Sequence, residues 1–280
     1  MKKISFVVLF IGFIIYYISS IHAEDTSSVV VEDSLGRNLQ YDEEPQKILS
    51  LAESTTEILI SLGLKERLIE GQEFKDFPTI YTGNREKYNF PRNYRATPHI
   101  VFVEGKENFE FFSSKFEDLH WKVFVYHPES LQDIYISIEK ISHLFGRNKV
   151  AKTVVSGIKS ISNFIGQQTK NYKKSKIFIQ TSINPLRSAA ERGFIHDIIV
   201  LLNGDHTLSS SDAEKIVIAC PKDQFQSWKS EWKKTPGIPA AQENKIYWID
   251  FKTLLEPGSK LSEGIVRLSK ILHYPQTIDQ

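Results

Sequence analysis

The chain has 280 residues, of which 41% are hydrophobic, 12% aromatic and 25% charged, an ordinary globular balance that allows a full buried core. Its 35 Lys and Arg stand against 34 Asp and Glu, and so small an excess supplies no field for gripping a phosphate backbone, which argues against nucleic acid as a partner. One cysteine, Cys220, excludes an internal disulfide framework and any multi-cysteine metal site, and the one methionine, Met1, excludes a Met-rich partner groove.

Residues 1–23 read as a signal peptide. Lys2 and Lys3 precede an apolar stretch from residue 6 to 18, and Ile21 and Ala23 stand at minus three and minus one of a signal-peptidase site. Cleavage is expected after Ala23, with export to the periplasm. An uncleaved anchor is the competing reading, but the apolar run falls short of the ~20 residues that span a bilayer. No cysteine follows it for lipid attachment.

Residues 29–31 and 38–41 flank the turn signal Asp33-Ser34-Leu35-Gly36 and read as a hairpin. After Pro45 comes a buried strand, 48–51. Ser54 then stands three residues before Glu57, a capping box that predicts a helix through Ile58, Leu59 and Leu62 with Gly63 as its stop. Residues 72–98 hold Pro78, Pro91 and Pro98 and read as irregular loop. A strand at 100–103, a helix at 109–119 and a strand at 123–125 follow, an order that favours α/β with parallel strands.

The middle is helical. Leu131, Ile134, Ile138, Ile141 and Leu144 recur at helical spacing, and after Gly146 the pattern repeats at Ala151, Val154, Ile158, Ile161 and Ile165 to about Lys170. Alternation then resumes: strands at 177–179, 216–219 and 246–249, and helices at 194–202, 223–233 and 260–272. The expected fold is α/β, two lobes linked by one long helix, with boundaries at 24–128, 129–171 and 172–280 for the N-terminal lobe, helical segment and C-terminal lobe.

Catalytic signatures are missing. There is no Gly-x-Ser-x-Gly, no phosphate-cradling P-loop and no Gly-x-Gly-x-x-Gly. None of the eight histidines pairs with another at the i, i+4 spacing that binds metal on a helix face. His196 and His206 read as surface or capping residues, Trp228 and Trp232 as packing, and Cys220 as a small buried hydrophobe. No enzyme activity and no cofactor are expected.

With these motifs placed, the chain resembles the periplasmic binding proteins that feed cobalamin and ferric-siderophore ABC importers. The likeness rests on Asp33-Ser34-Leu35-Gly36-Arg37, Pro45, residues 48–51, Thr56-Glu57-Ile58-Leu59 and Leu62-Gly63-Leu64. It continues through Pro98-His99-Ile100-Val101, His127-Pro128-Glu129-Ser130-Leu131, Phe145-Gly146-Arg147 and residues 179–185. The resemblance implies two α/β lobes joined by a rigid helix, a ligand cleft between them, and a monomer that captures a metal chelate (a corrinoid, ferric siderophore or haem) for an ABC importer. A family-derived sensor or interaction module that has lost importer docking is the alternative.

By matching positions, the resemblance implies a cleft lined by Phe74, Phe77, Tyr81, Arg187, Asp250 and Phe251. Phe74 and Phe77 would stack on a flat ligand, or pack within their loop; Arg187 would hold a carboxylate or catecholate through a bidentate fork. The family's docking glutamates have no clean match. Glu86 is the nearest acid in the first lobe. In the second, the helix before residue 216 is missing, leaving Asp212 or Glu214. His99 also replaces the family's usual Asp.

Overall fold

The computed structural model describes residues 28–69, 97–189 and 192–275; Phe74, Phe77, Tyr81 and Glu86 lie outside them, as does the signal segment. Strand β1 (Val29–Glu32) pairs antiparallel with β2 (Asn38–Tyr41), Val29 opposite Tyr41. Asp33 makes the turn between them. Its buried carboxylate accepts the backbone N–H groups of Leu35 (2.9 Å) and Arg37 (3.0 Å), and Gly36 takes the positive φ of 74° that the tight reversal needs.

Strands β3 (Ile48–Ser50), β4 (Ile100–Glu104) and β5 (Val123–Tyr126) form a parallel sheet in that order. Asp33 also accepts the Val125 N–H at 3.1 Å, which ties the hairpin to this sheet. β4 is buried along its whole length, as a central parallel strand covered on both faces must be. Helix α1 (Glu53–Ser61) leaves β3 and α2 (Lys106–Asp118) joins β4 to β5. The capping box expected at Ser54 and Glu57 does not form: α1 opens two residues earlier, with Ala52 as its N-cap and no side-chain cap. Both residues are buried and serve another contact. Gly63, at φ 78°, does end the helix.

Helix α3 (Leu131–Leu144) starts on Ser130, whose Oγ accepts the Asp133 N–H at 3.1 Å, and buries Ile134, Ile138 and Ile141. The long helix α4 (Asn148–Thr169) follows and leads into the second sheet; its 22 residues span ~33 Å. The second sheet holds β6 (Lys176–Ile183), β7 (Leu186–Ser188), β8 (Asp205–His206), β9 (Lys215–Ala219) and β10 (Ile246–Ile249), in the order β10-β9-β6-β7 with β8 beside the start of β6. β6, β8, β9 and β10 run parallel. β7 folds back antiparallel, so residues 186–188 are a strand that the sequence pattern does not single out.

Helices α5 (Phe194–Leu201), α6 (Phe225–Lys234), α7 (Pro239–Gln242), α8 (Phe251–Leu254) and α9 (Leu261–His273) complete the second half. Between β8 and β9 there is only a short 3-10 turn, Ser210–Asp212, so the helix missing from the sequence pattern is missing from the fold. Trp232 is core: its indole N–H donates to the buried Gln180 Oε1 at 2.7 Å, and Trp228 packs beside it. Cys220 is buried too, and burial, followed by the charges of Asp223 and Asp250, pushes its thiol up to about 12, the mark of an inert packing residue. Among the described residues no helix is long and apolar enough to cross a membrane.

One apolar core runs from the first sheet through α3 and α4 into α5, β9 and α9, while smaller clusters cover the outer face of each sheet. The two sheets therefore share close-packed side chains and do not hang on a linker. α9 presses against α8 so closely that a Cβ at Gly264 would lie 2.2 Å from the Thr253 carbonyl oxygen. Gly264→Ala gains about 1 kcal/mol of helix propensity but forces two backbones apart, so a net loss of about 1–3 kcal/mol is expected. Chemical denaturation reads this as a lower midpoint; an unchanged or higher midpoint would show that α8 yields freely.

Candidate ligand cleft

In open parallel sheets, ligands bind in the crevice beyond the carboxyl ends of the strands. Here the segments that leave those ends meet across a seam. From the first sheet come α1, Glu104 at the end of β4, and Tyr126, which stands opposite Glu104 in register. From the second sheet come Asp250 and α8, which follow β10, and the segment 255–260 beyond them.

Four polar contacts cross the seam. The buried Tyr126 hydroxyl donates to the Pro257 carbonyl, and Lys260 pairs with Glu57. Ser259 Oγ donates to the Glu57 carbonyl at 3.4 Å, and Lys252 Nζ lies 3.3 Å from Glu53 Oε1. The backbones approach closely as well: a Cβ on Gly258 would stand 3.1 Å from the Ser54 carbonyl oxygen. Ser54 Oγ in turn donates to Glu104 Oε2 at 2.9 Å.

The seam is acidic. Glu57, Glu104 and Glu256 are all buried, and Glu57 Oε2, Glu104 Oε1 and Glu256 Oε2 have no hydrogen-bond partner among the described residues. Burial raises Glu104 to about 8; the Ser54 bond pulls it down and the Glu256 charge pushes it up. Burial also raises Glu256 to about 7, helped by Glu53, Glu57 and Asp250 and opposed by Lys252. A carboxyl that keeps its proton near neutral pH can donate a hydrogen bond as well as accept one.

The residues expected to line the cleft divide into three groups. Asp250 and Phe251 stand at the seam: Asp250 caps α8 by accepting the Lys252 N–H at 3.1 Å, and the half-buried Phe251 packs on the main core. Arg187 is exposed on β7 opposite Ser182, with no ion pair for its guanidinium among the described residues. Phe74, Phe77 and Tyr81 fall outside the described residues. Of the docking acids, Glu86 does too, while the exposed Glu214 precedes β9 and so sits at the sheet edge opposite the seam. His196 and His206 bring their rings within 5.8 Å, but no group of three metal-ligating side chains exists among the described residues. Sequence reasoning missed Glu104, Glu256, Lys252 and Lys260. The signal for Glu104 was a lone acid closing an apolar strand.

The two raised carboxyls fix a pH dependence. An acid whose folded-state value is raised binds its proton more tightly folded than unfolded, so stability falls as pH rises from about 4.5 toward 8 and levels off above. Glu104→Gln mimics the protonated acid and keeps an acceptor for Ser54. Melting curves from pH 5 to 9 are expected to show a shallower decline for this variant and a higher Tm than the parent at pH 9. Parallel curves would mean that Glu104 ionises freely in the fold.

No family model matches the chain. A vitamin B12-binding protein of Vibrio campbellii is 22% identical over 244 residues, 80% of this chain and 88% of the relative. An ABC transporter substrate-binding lipoprotein of Bacillus subtilis is 22% identical over 278 residues, 90% of this chain and 87% of the relative. Among solved structures, a possible iron-binding, periplasmic solute-binding protein of Staphylococcus epidermidis superposes with a TM-score of 0.63 at 21% identity, covering 82% of this chain and 99% of its own. All three are named as binding proteins and none as an enzyme, and the Bacillus subtilis relative is named for an ABC transporter. In fold and in sequence relatives alike, the chain matches the two-lobed, class III periplasmic binding proteins of ABC importers, the family its sequence resembles.

Proposed function

We propose that the protein is an exported solute-binding protein that captures a metal chelate in the crevice above the seam and delivers it to an ABC importer. The observation that carries this reading is the meeting of two parallel sheets at their carboxyl ends, through Tyr126–Pro257, Glu57–Lys260 and Glu53–Lys252. The curated relatives, named for vitamin B12 and for ABC transport, support it. Cleavage after Ala23 and the lining by Phe74, Phe77, Tyr81, Arg187, Asp250 and Phe251 belong to the same proposal, with Glu86 and Glu214 as its docking acids.

The charge of the seam narrows the ligand class. Five carboxyls (Glu53, Glu57, Glu104, Asp250 and Glu256) meet two ammonium groups, Lys252 and Lys260. With Glu53 and Glu57 paired to these lysines and Glu104 protonated, the floor keeps a small negative charge among the described residues, which disfavours a polyanionic ferric catecholate. A neutral, amide-rich corrinoid can exchange hydrogen bonds with carboxyls in either protonation state. It is the ligand these residues suit best.

Tryptophan fluorescence tests the reading directly. Trp121, Trp228, Trp232 and Trp248 report from both halves of the molecule. Titration of the chain from Glu24 onward with cobalamin, haem and ferric siderophores is expected to give saturable quenching, strongest with the corrinoid and weakest with the catecholate. Flat titrations across the whole panel would overturn chelate capture; preference for the catecholate would overturn the charge argument alone.

A further inference from the structure

Charge is distributed unevenly over the chain. Residues 147–176 contain eight cations and no acid, which leaves 27 of the 35 basic residues to face all 34 acids elsewhere. Arg147, Lys149, Lys152 and Lys159 lie at or on α4; Lys170, Lys173, Lys174 and Lys176 follow it into β6. None of the eight forms an ion pair among the described residues, although ten such pairs occur elsewhere. Lys159 stacks over the Tyr135 ring at 4.7 Å, and Lys176 has Asp205 opposite it in the β6–β8 ladder without an ion pair.

The exposed side of the same helix, otherwise polar, carries an apolar stripe on one flank. α4 buries Ala151, Val155 and Ile158 but leaves Val150 (39%), Ile161 (38%) and Phe164 (66%) exposed, and Phe164 is the most exposed of the large hydrophobic residues described. At 100° per residue these three fall within about 60° of one another on the helix surface. Val266 of α9, also exposed, lines a shallow recess with Ile161, Arg267 and Lys270, where Glu263 is the only acid. On the same wheel Lys152 and Lys159 fall on the flank away from this stripe, so the unpaired lysines that can share a surface with it are Lys173 and Lys174, in the segment that follows the helix. An exposed apolar stripe with such lysines is the composition of a helix that lies in a membrane interface.

We propose that α4, with the basic segment that follows it, docks the folded protein on an anionic lipid surface, Phe164 and Ile161 entering the headgroup boundary and the lysines meeting lipid phosphates. Nucleic acid would satisfy the cations but gives no reason for an exposed apolar stripe on the same helix. The surface is separate from the seam, so docking does not depend on which chelate the cleft holds. Each lysine near such a surface is worth roughly fivefold in partitioning, and the attraction is screened by salt.

Vesicle co-sedimentation of the chain from Glu24 onward, which contains every element described, tests this. Binding is expected to vesicles rich in phosphatidylglycerol and not to pure phosphatidylcholine, with loss as salt is raised. Lys170→Glu/Lys173→Glu/Lys174→Glu is expected to abolish it and Phe164→Ser to weaken it severalfold. The equal charge change placed elsewhere, Lys115→Glu/Lys233→Glu/Lys234→Glu, is expected to leave most of it. Circular dichroism confirms that each variant is folded, and chelate titration shows that the cleft is untouched. Absence of binding to anionic vesicles, equal binding to neutral ones, an equal loss in the control variant, or tighter binding to duplex DNA at the same salt would each overturn the proposal.

Discussion

The joint between the two halves rests on the Tyr126 hydroxyl. The ring is fully buried at the end of β5, and its O–H donates to the Pro257 carbonyl, beyond the last strand of the other sheet. A buried hydroxyl left without a partner costs about 1–3 kcal/mol, so this contact fixes where residues 255–260 lie on α1. The neighbouring contacts share that register: Gly258 passes the Ser54 carbonyl, Lys260 meets Glu57, and Lys252 reaches Glu53. The exposed Lys252–Glu53 pair adds little by itself; the buried members set the geometry.

That register has an electrostatic consequence. Bringing α1 and the 255–260 segment together buries three glutamates, of which only Glu57 is in an ion pair, while Lys252 acts on Glu256 from a distance. The fold accepts this by raising both acids, so that Glu104 holds its proton through neutral pH and Glu256 holds its own up to about 7. Such a seam is costly as structure and reasonable as the floor of a binding site. The continuous core through α3 and α4 then limits how far the halves can separate, because closing or opening must repack buried Ile134, Ile138, Ala151 and Val155. Small adjustments about a preformed crevice follow from this packing.

Much of the fold was legible in the sequence, because periodicity and turn chemistry are local. The three- and four-residue spacing from Leu131 to Leu144 gave α3 its bounds, and Asp33 with Gly36 announced a hairpin that the structure builds with those residues. Ser54 and Glu57 misled for the same reason. Their spacing fits a capping box, but tertiary contacts with Glu104 and Lys260 outweigh a cap of about 1 kcal/mol. β7 was missed because its pairing with β6 is decided by a short turn and not by its own three residues. The candidate site was legible only through resemblance. Asp250 and Phe251 were named for their place after the last strand, whereas Glu104 and Glu256 become neighbours through a contact between lobes that no local pattern encodes.

The most direct measurement is hydrogen–deuterium exchange of the protein with and without saturating cyanocobalamin, haemin or a ferric siderophore, whichever binds. If the chelate sits above the seam, protection must rise together in α1, at residues 104–108 and 126–131, and in 250–260, with α4 and the outer helices unchanged. Protection confined to one half of the molecule, or to a face away from the strand ends, would contradict capture between the lobes.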